Sequence, residues 1–341
     1  MNLRAPTYVA EQVRHWLRTH TYHHTRFADV RRLVELKEKF DEKISLCLPT
    51  LNEEATIGKE ILLLRTELMQ RHPLLDEIVV IDSGSSDRTC EIAAEFGAHV
   101  WRSDDVLPSH GTYRGKGENL WKALFVCSGG IVVFVDADIR NIRPSFVYGL
   151  VGPLLEDPSV EYVKAFYDRP LEIRPGERGV GGGRVTELVV RPMLSLWVPE
   201  LTALVQPLSG EYAARRSVLE RLAFPVGYGV EIAHLLDVYH RGSLNSFAQV
   251  DLDVRIHRNQ SLDALGRMSF GILQTMLRRL QQYGYIESKL EWHGVLHQCR
   301  RHDEGCVLVD TPWDEPERPP MIEVPEYRRR VGASSRDAST P

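Results

Sequence analysis

Ile131-Val132-Val133-Phe134-Val135-Asp136-Ala137-Asp138 is the stretch on which the fold turns. Its five leading residues are apolar and mostly β-branched, with no polar alternation. That pattern predicts a strand buried on both faces of a parallel sheet. Two carboxylates follow at i and i+2, where the strand leaves the sheet. In open α/β sheets ligands collect outside the carboxyl ends of the strands. Residues i and i+2 of extended chain point the same way, so Asp136 and Asp138 place two anionic groups on one side. Such a pair suits a hard divalent cation that also takes substrate phosphates. An aspartate at a strand end can equally cap the next helix.

Upstream, Ile44-Ser45-Leu46-Cys47-Leu48 and Glu77-Ile78-Val79-Val80-Ile81-Asp82 predict two more strands, and Ala98-His99-Val100-Trp101 a short one. The first stops at Pro49 and opens into Thr50-Leu51-Asn52-Glu53-Glu54, then a helical pattern through Ile57, Ile61, Leu64 and Leu68. Thr50 or Asn52 can cap that helix, and its acids suit the dipole. This turn is also placed to cup a nucleotide base and ribose. Asp82 heads Ser83-Gly84-Ser85-Ser86-Asp87, where an acid can take ribose or base donors and the turn offers backbone N–H groups. Neither this turn nor Arg114-Gly115-Lys116-Gly117-Glu118 has dinucleotide-fold or Walker spacing. The glycines around Lys116 suit close approach to a phosphate.

The chain has 341 residues, 43% of them hydrophobic and 26% charged, with a net charge of -5. These values are ordinary for a globular protein and leave no electrostatic footprint for nucleic acid. No apolar run approaches the roughly 20 residues of a membrane span, and no secretory leader is recognisable. Five cysteines (Cys47, Cys90, Cys127, Cys299, Cys306), none in a close pair, read as reduced thiols of a cytoplasmic protein. His20, His23 and His24 lack a carboxylate or cysteine partner at ligand spacing, so a surface role is expected for them.

The succession Leu-Pro-x-Leu-Asn-Glu-Glu, Ile-Asp-Ser-Gly-Ser-x-Asp, Gly-Lys-Gly and Val-Asp-Ala-Asp resembles the nucleotide-sugar domain of A-type (GT-A) glycosyltransferases. Further on come Gly181-Gly182-Gly183-Arg184-Val185-Thr186, Gln206-Pro207-Leu208-Ser209-Gly210-Glu211-Tyr212, Gly227-Tyr228-Gly229-Val230-Glu231 and Val254-Arg255-Ile256-His257-Arg258-Asn259. Together these resemble the glucosyl-3-phosphoglycerate and mannosyl-3-phosphoglycerate synthases, a retaining family, over roughly residues 40–285. The resemblance implies an α/β fold of GT-A type, a mostly parallel, Rossmann-like sheet flanked by helices. It also implies hexose transfer from a nucleotide diphosphate sugar, GDP-mannose or UDP-glucose, to the 2-hydroxyl of 3-phosphoglycerate. The product would be a compatible solute or a polysaccharide precursor. A lipid or polysaccharide acceptor, or sugar-nucleotide binding without turnover, are the competing readings.

Site residues follow from the same likeness. Pro49, Thr50, Leu51, Glu53, Asp82, Ser83, Gly84, Lys116, Asp136, Ala137 and Asp138 would bind the nucleotide sugar. Gly183, Arg184, Val185, Thr186, Tyr228 and Asn259 would bind the acceptor. Asp138 and His257 would hold Mg²⁺ or Mn²⁺, and Asp136 and Glu231 would be catalytic. The residues carry physical readings of their own. The glycine run before a helix makes an anion cradle, to which Arg184 adds a fork. Glu231 opens a helical pattern, where a carboxylate also suits the dipole, and Lys164 and Arg169 are further basic candidates. Residues 1–43 are expected as a helical extension outside the sheet. Residues 44–166 are expected as the nucleotide-sugar part, 167–285 as the acceptor part of the same domain, and 286–341 as a C-terminal extension with a flexible end. The apolar stripe of 261–285 suits core closure or a homodimer.

Overall fold

The computed structural model describes residues 6–174, 177–180, 183–256, 261–287, 293–303 and 305–337. His257 and Asn259 therefore lie outside the described residues, as do Gly181 and Gly182.

An eight-stranded sheet carries the site. Its strands are β1 (Thr21–His23), β2 (Ile44–Thr50), β3 (Glu77–Asp82), β4 (His99–Arg102), β5 (Ile131–Phe134) and β6 (Tyr162–Asp168), then two from the second half of the chain. Strands β7 (Pro170–Arg174) and β8 (Glu177–Val180) form a separate hairpin, and β9 (Tyr212–Arg215) returns to the sheet. After β10 (Phe224–Pro225), β11 (Phe247–Val254) supplies the eighth member, in the order β1-β11-β6-β9-β5-β2-β3-β4. All neighbours are parallel except β9, which runs antiparallel to both β5 and β6.

Side chains of the central strands alternate between two cores. Val132 and Phe134 pack on one side with Val79 and Ile81, while Ile131, Val133 and Val135 pack on the other with Leu46 and Leu48. Every residue from Ile131 to Val135 is fully buried, which is why the sequence shows no alternation there. At about 1.5–3 kcal/mol per large aliphatic side chain, the strand is an anchor, not a tunable loop. Helices α1 (Pro6–Thr19), α2 (Val30–Lys39), α3 (Ile57–Arg65), α4 (Thr89–Glu95), α5 (Lys116–Val126) and α6 (Ser145–Glu156) belong to the first half. The first core is roofed by α5 and by α9 (Val230–Arg241) and α10 (Leu262–Gln282), which follow α7 (Arg191–Trp197) and α8 (Arg216–Leu219). The second core is roofed by α2, α3 and α6.

Three expectations need correction. The first helix after β2 starts at Ile57 with Thr56 before it, and Asn52 instead adopts a left-handed φ of 58°. Its side-chain oxygen accepts from Ser86 N–H at 2.9 Å and ties the two turns together. The N-terminal extension does not lie wholly outside the sheet: Thr21 to His23 form its edge strand, in register with Gln249 to Asp251. The described part of the C-terminal extension, as far as Asp337, is tied into the fold. Strand β14 (Glu317–Arg318) pairs with β10, and α11 (Pro325–Asp337) follows. Strands β12 (Val295–His302) and β13 (Gly305–Pro312) make the hairpin before it. No helix of the described residues is long and apolar enough to cross a membrane.

Candidate active site

The mouths of β2, β3 and β5 open into one cleft of about 780 Å³. Pro49, Thr50, Leu51, Glu53, Ser83, Gly84, Lys116, Asp136, Ala137 and Asp138 line it, and so do Gly183, Arg184, Val185, Thr186, Tyr228 and Glu231. Two groups of residues, one ending at Asp138 and the other beginning at Gly183, thus share one cleft. Asp82 lies beneath the lining. It is fully buried, and its carboxylate accepts from Gly84 N–H and Ser85 N–H at 2.9 Å and from Thr50 Oγ1 at 3.2 Å. It shapes the Ser-Gly turn and is not itself part of the cleft lining.

Charge converges where β5 ends. Lys116 Nζ lies 2.5 Å from Asp136 Oδ1 and 3.1 Å from Glu231 Oε1. Arg255, just beyond β11, sends one Nη2 to Asp136 Oδ2 and to Asp138 Oδ1, both at 2.9 Å. A single nitrogen reaching both carboxylates shows that they face the same way, as the i, i+2 spacing requires. Arg255 Nε sits 3.0 Å from Glu211 Oε1, and the other Glu211 oxygen accepts from Tyr167 O–H. Arg169 donates to that same tyrosine oxygen at 2.9 Å.

The two acids of the motif differ electrostatically. Burial opposes charge on Asp136, but Lys116 and Arg255 outweigh it and hold the carboxyl well below the usual range. At Asp138 burial prevails over Arg255, and Asp136 and Glu211 add like charge, so its carboxyl is raised. A partly exposed carboxylate with too little compensating charge is a fitting ligand for a hard dication. Of the two, Asp138 is the acid that could hold such a cation. Its backbone is fixed from behind by Glu60, whose Oε1 accepts from Ile139 N–H at 3.0 Å.

Glycines around Lys116 are also required by packing. A Cβ at Gly117 would collide with Pro225 O, and one at Gly115 with Val226 O. Gly117 and Glu118 donate to Gly227 O and Val226 O at 3.3 and 3.1 Å. The small residues let this turn press against the segment bearing Tyr228, which delivers Lys116 to Glu231. Across the cleft Gly183 has φ +83°, a conformation that favours glycine. Glu187 N–H donates to its carbonyl at 3.0 Å as the next helix begins. Val185 and Thr186 are buried, whereas Arg184 is exposed.

Sequence reasoning gave no role to Arg255, Glu211 or Glu60. Glu211 and Arg255 sat inside quoted motifs, and only the fold brings them to Asp136.

A mostly parallel sheet with an Asp-x-Asp pair at a strand mouth, in one cleft with the Lys116 turn and the Gly183 loop, defines a GT-A glycosyltransferase. Residues 45–184 match the family described as glycosyl transferase family 2. The chain is 54% identical over 310 residues to the glucosyl-3-phosphoglycerate synthase of Petrotoga mobilis, covering 91% of this chain and 95% of that protein. The crystal structure of mannosyl-3-phosphoglycerate synthase from Rubrobacter xylanophilus superposes with a TM-score of 0.84 at 37% identity, over 91% of this chain and 99% of that one. Glucosyl-3-phosphoglycerate synthase from Mycobacterium tuberculosis, solved with Mn²⁺, UDP-glucose and phosphoglyceric acid, has a TM-score of 0.73 at 43% identity, over 85% and 93%. The chain belongs to the glucosyl-3-phosphoglycerate synthase family.

Proposed function

We propose that this protein transfers glucose from UDP-glucose to the 2-hydroxyl of 3-phosphoglycerate with retention at the anomeric carbon. The observation that carries the reading is the shared cleft: Asp136, Asp138 and Lys116 stand in the same cavity as Gly183, Arg184 and Thr186. Glucose is favoured over mannose because the 54% identical relative carries the glucosyl name.

In this reading the turns after β2 and β3 receive the uridine, and Asp138 together with His257 would hold Mg²⁺ or Mn²⁺. When bound, that cation supplies Lewis-acid neutralisation of the charge growing on the departing diphosphate. Asp136 is kept ionised by Lys116 and Arg255 and faces the sugar. Glu231, nearly buried and ion-paired to Lys116, orients the ammonium and lies beside the acceptor hydroxyl. It is not assigned as a covalent nucleophile; the retained configuration is attributed to a short-lived ion pair. Arg184, Thr186, Tyr228 and Asn259 take the anionic acceptor, whose charges favour a guanidinium fork and backbone donors.

We also place residues 44–166 as the donor half and 167–285 as the acceptor half of one domain. Free thiols at all five cysteines support a cytoplasmic location. Exposed Leu188, Leu196 and Leu262 support a homodimer.

The test is a donor panel. Nucleotide release from UDP-glucose and from GDP-mannose is measured with and without 3-phosphoglycerate, and with and without chelator. Release from UDP-glucose that needs both 3-phosphoglycerate and a divalent cation is expected. Preference for GDP-mannose would overturn the sugar assignment, and release unaffected by 3-phosphoglycerate would overturn the acceptor.

A further inference from the structure

The histidines that the sequence left without a carboxylate partner acquire one in the fold. His23 ends the edge strand β1, His24 follows it, and Asp253 is the penultimate residue of β11. His23 Nε2 is 2.9 Å from Asp253 Oδ1, and His24 Nε2 is 2.8 Å from Asp253 Oδ2. One ligand atom from each residue lies within 4.8 Å of the other two. None of the three lines the cleft.

Each ring also has an oxygen behind it. His23 Nδ1 lies 2.8 Å from Thr25 Oγ1, and His24 Nδ1 lies 3.3 Å from Tyr148 Oη. A hydroxyl that accepts the Nδ1 proton leaves the Nε2 lone pair free, the outer-shell arrangement typical of metal-ligating histidines. His24 is buried, while His23 and Asp253 are partly exposed and leave an entry path from solvent.

We propose that His23, His24 and Asp253 form a site for an imidazole-seeking dication of the Zn²⁺ class, separate from the Asp138 centre. Two neutral imidazoles and one carboxylate suit zinc, nickel or cobalt better than magnesium. Bonds of about 2.0–2.1 Å place neighbouring tetrahedral ligands about 3.3 Å apart, so the 2.8–2.9 Å pairs need open only slightly. Without metal, each Nε2–H donates to Asp253, and Thr25 N–H lies 3.4 Å from His23 Nδ1. Metal binding requires each Nε2 lone pair, with the Nδ1 proton donated to Thr25 Oγ1 or Tyr148 Oη, and at His23 this replaces the contact from Thr25 N–H. Arg143 is the competing cation, with Nη1 3.2 Å from Asp253 Oδ2. The bound ion would clasp the N-terminal turn to the end of β11, two residues before Arg255.

The probe is Zn²⁺, titrated by calorimetry into full-length protein with Mg²⁺ in excess to supply the Asp138 centre. A Cys299→Ser, Cys306→Ser background removes two exposed thiols that would also take zinc. One Zn²⁺ per chain is expected, with affinity lowered at least about tenfold in His23→Ala and in Asp253→Asn, and raised in Arg143→Gln. Zn²⁺ should raise the melting temperature of the parent and not that of His23→Ala. Superimposable isotherms for parent and His23→Ala would overturn the proposal, as would weaker binding in Arg143→Gln.

Discussion

Arg318 grips Glu118 through two contacts of 2.7 Å, and the glutamate is fully buried. This pair joins the C-terminal segment to the turn that presents Lys116. The same segment accepts Val226 N–H on Pro316 O at 2.9 Å and Gly229 N–H on Glu315 Oε1 at 3.1 Å. Arg318→Ala would leave a buried carboxylate with only Lys122, at 3.3 Å, to balance it. Breaking a buried pair costs about 3–5 kcal/mol, and the surviving lysine puts the expected loss near the lower figure. Chemical denaturation measures it; a loss under about 1 kcal/mol would contradict the strap.

That strap was not legible in the sequence. Pro316, Pro319 and Pro320 with several arginines read as an unstructured tail, because only a paired strand and a buried partner 200 positions away make Arg318 structural. Strand β9 was equally hidden. Its antiparallel insertion between β5 and β6 is a matter of topology, and Tyr212 to Arg215 look like any short apolar run. By contrast, β5 and its acids were legible, because burial on both faces demands continuous apolar residues and the site follows at the strand end. Asp82 was legible as an acid at a strand mouth, but spacing does not say that its carboxylate also accepts from the Gly84 and Ser85 N–H groups of its own turn.

Lys116 bridges Asp136 and Glu231, so Lys116→Met should destabilise the metal-free protein by about 3 kcal/mol at pH 7 and sharply lower turnover. Asp136 is depressed in the folded state, so its stabilisation is full above the ordinary aspartate value of about 3.9 and is lost as pH falls below it. Removing Lys116 raises the folded-state value and shrinks that contribution. The stability gap between parent and variant should therefore narrow as pH drops below about 4. Urea midpoints across this range check it; a constant gap would count against the pairing.

Lys164 is a second pH probe. Burial, with Lys116 adding to it, pushes its ammonium down to about 7, while its Nζ donates to Ser209 O. The unfolded chain then holds this proton from about pH 7 to its ordinary value near 10.4, so stability rises with pH across that window. The rise should be weaker in Lys164→Met by the share this one group contributes. Identical slopes for parent and variant would place the lysine's titration elsewhere.

Arg184→Ala should raise the KM for 3-phosphoglycerate far more than that for the sugar nucleotide. Loss of a charge-assisted contact costs about 1.5–3 kcal/mol, or roughly ten- to a hundred-fold. Initial rates with each substrate varied at saturating levels of the other decide the matter. Equal effects on both constants would argue against an acceptor loop at Gly183 to Thr186.

Proton NMR of the product most directly tests the transfer itself. Purified protein, UDP-glucose, 3-phosphoglycerate and Mg²⁺ should yield UDP and one new glycoside, linked at the glycerate 2-oxygen and α at its anomeric carbon like the donor. Asp138→Ala, folded as judged by circular dichroism, should yield almost none. A β-linked product, or equal product from the Asp138→Ala protein, would contradict the retaining, Asp138-dependent transfer proposed for this cleft.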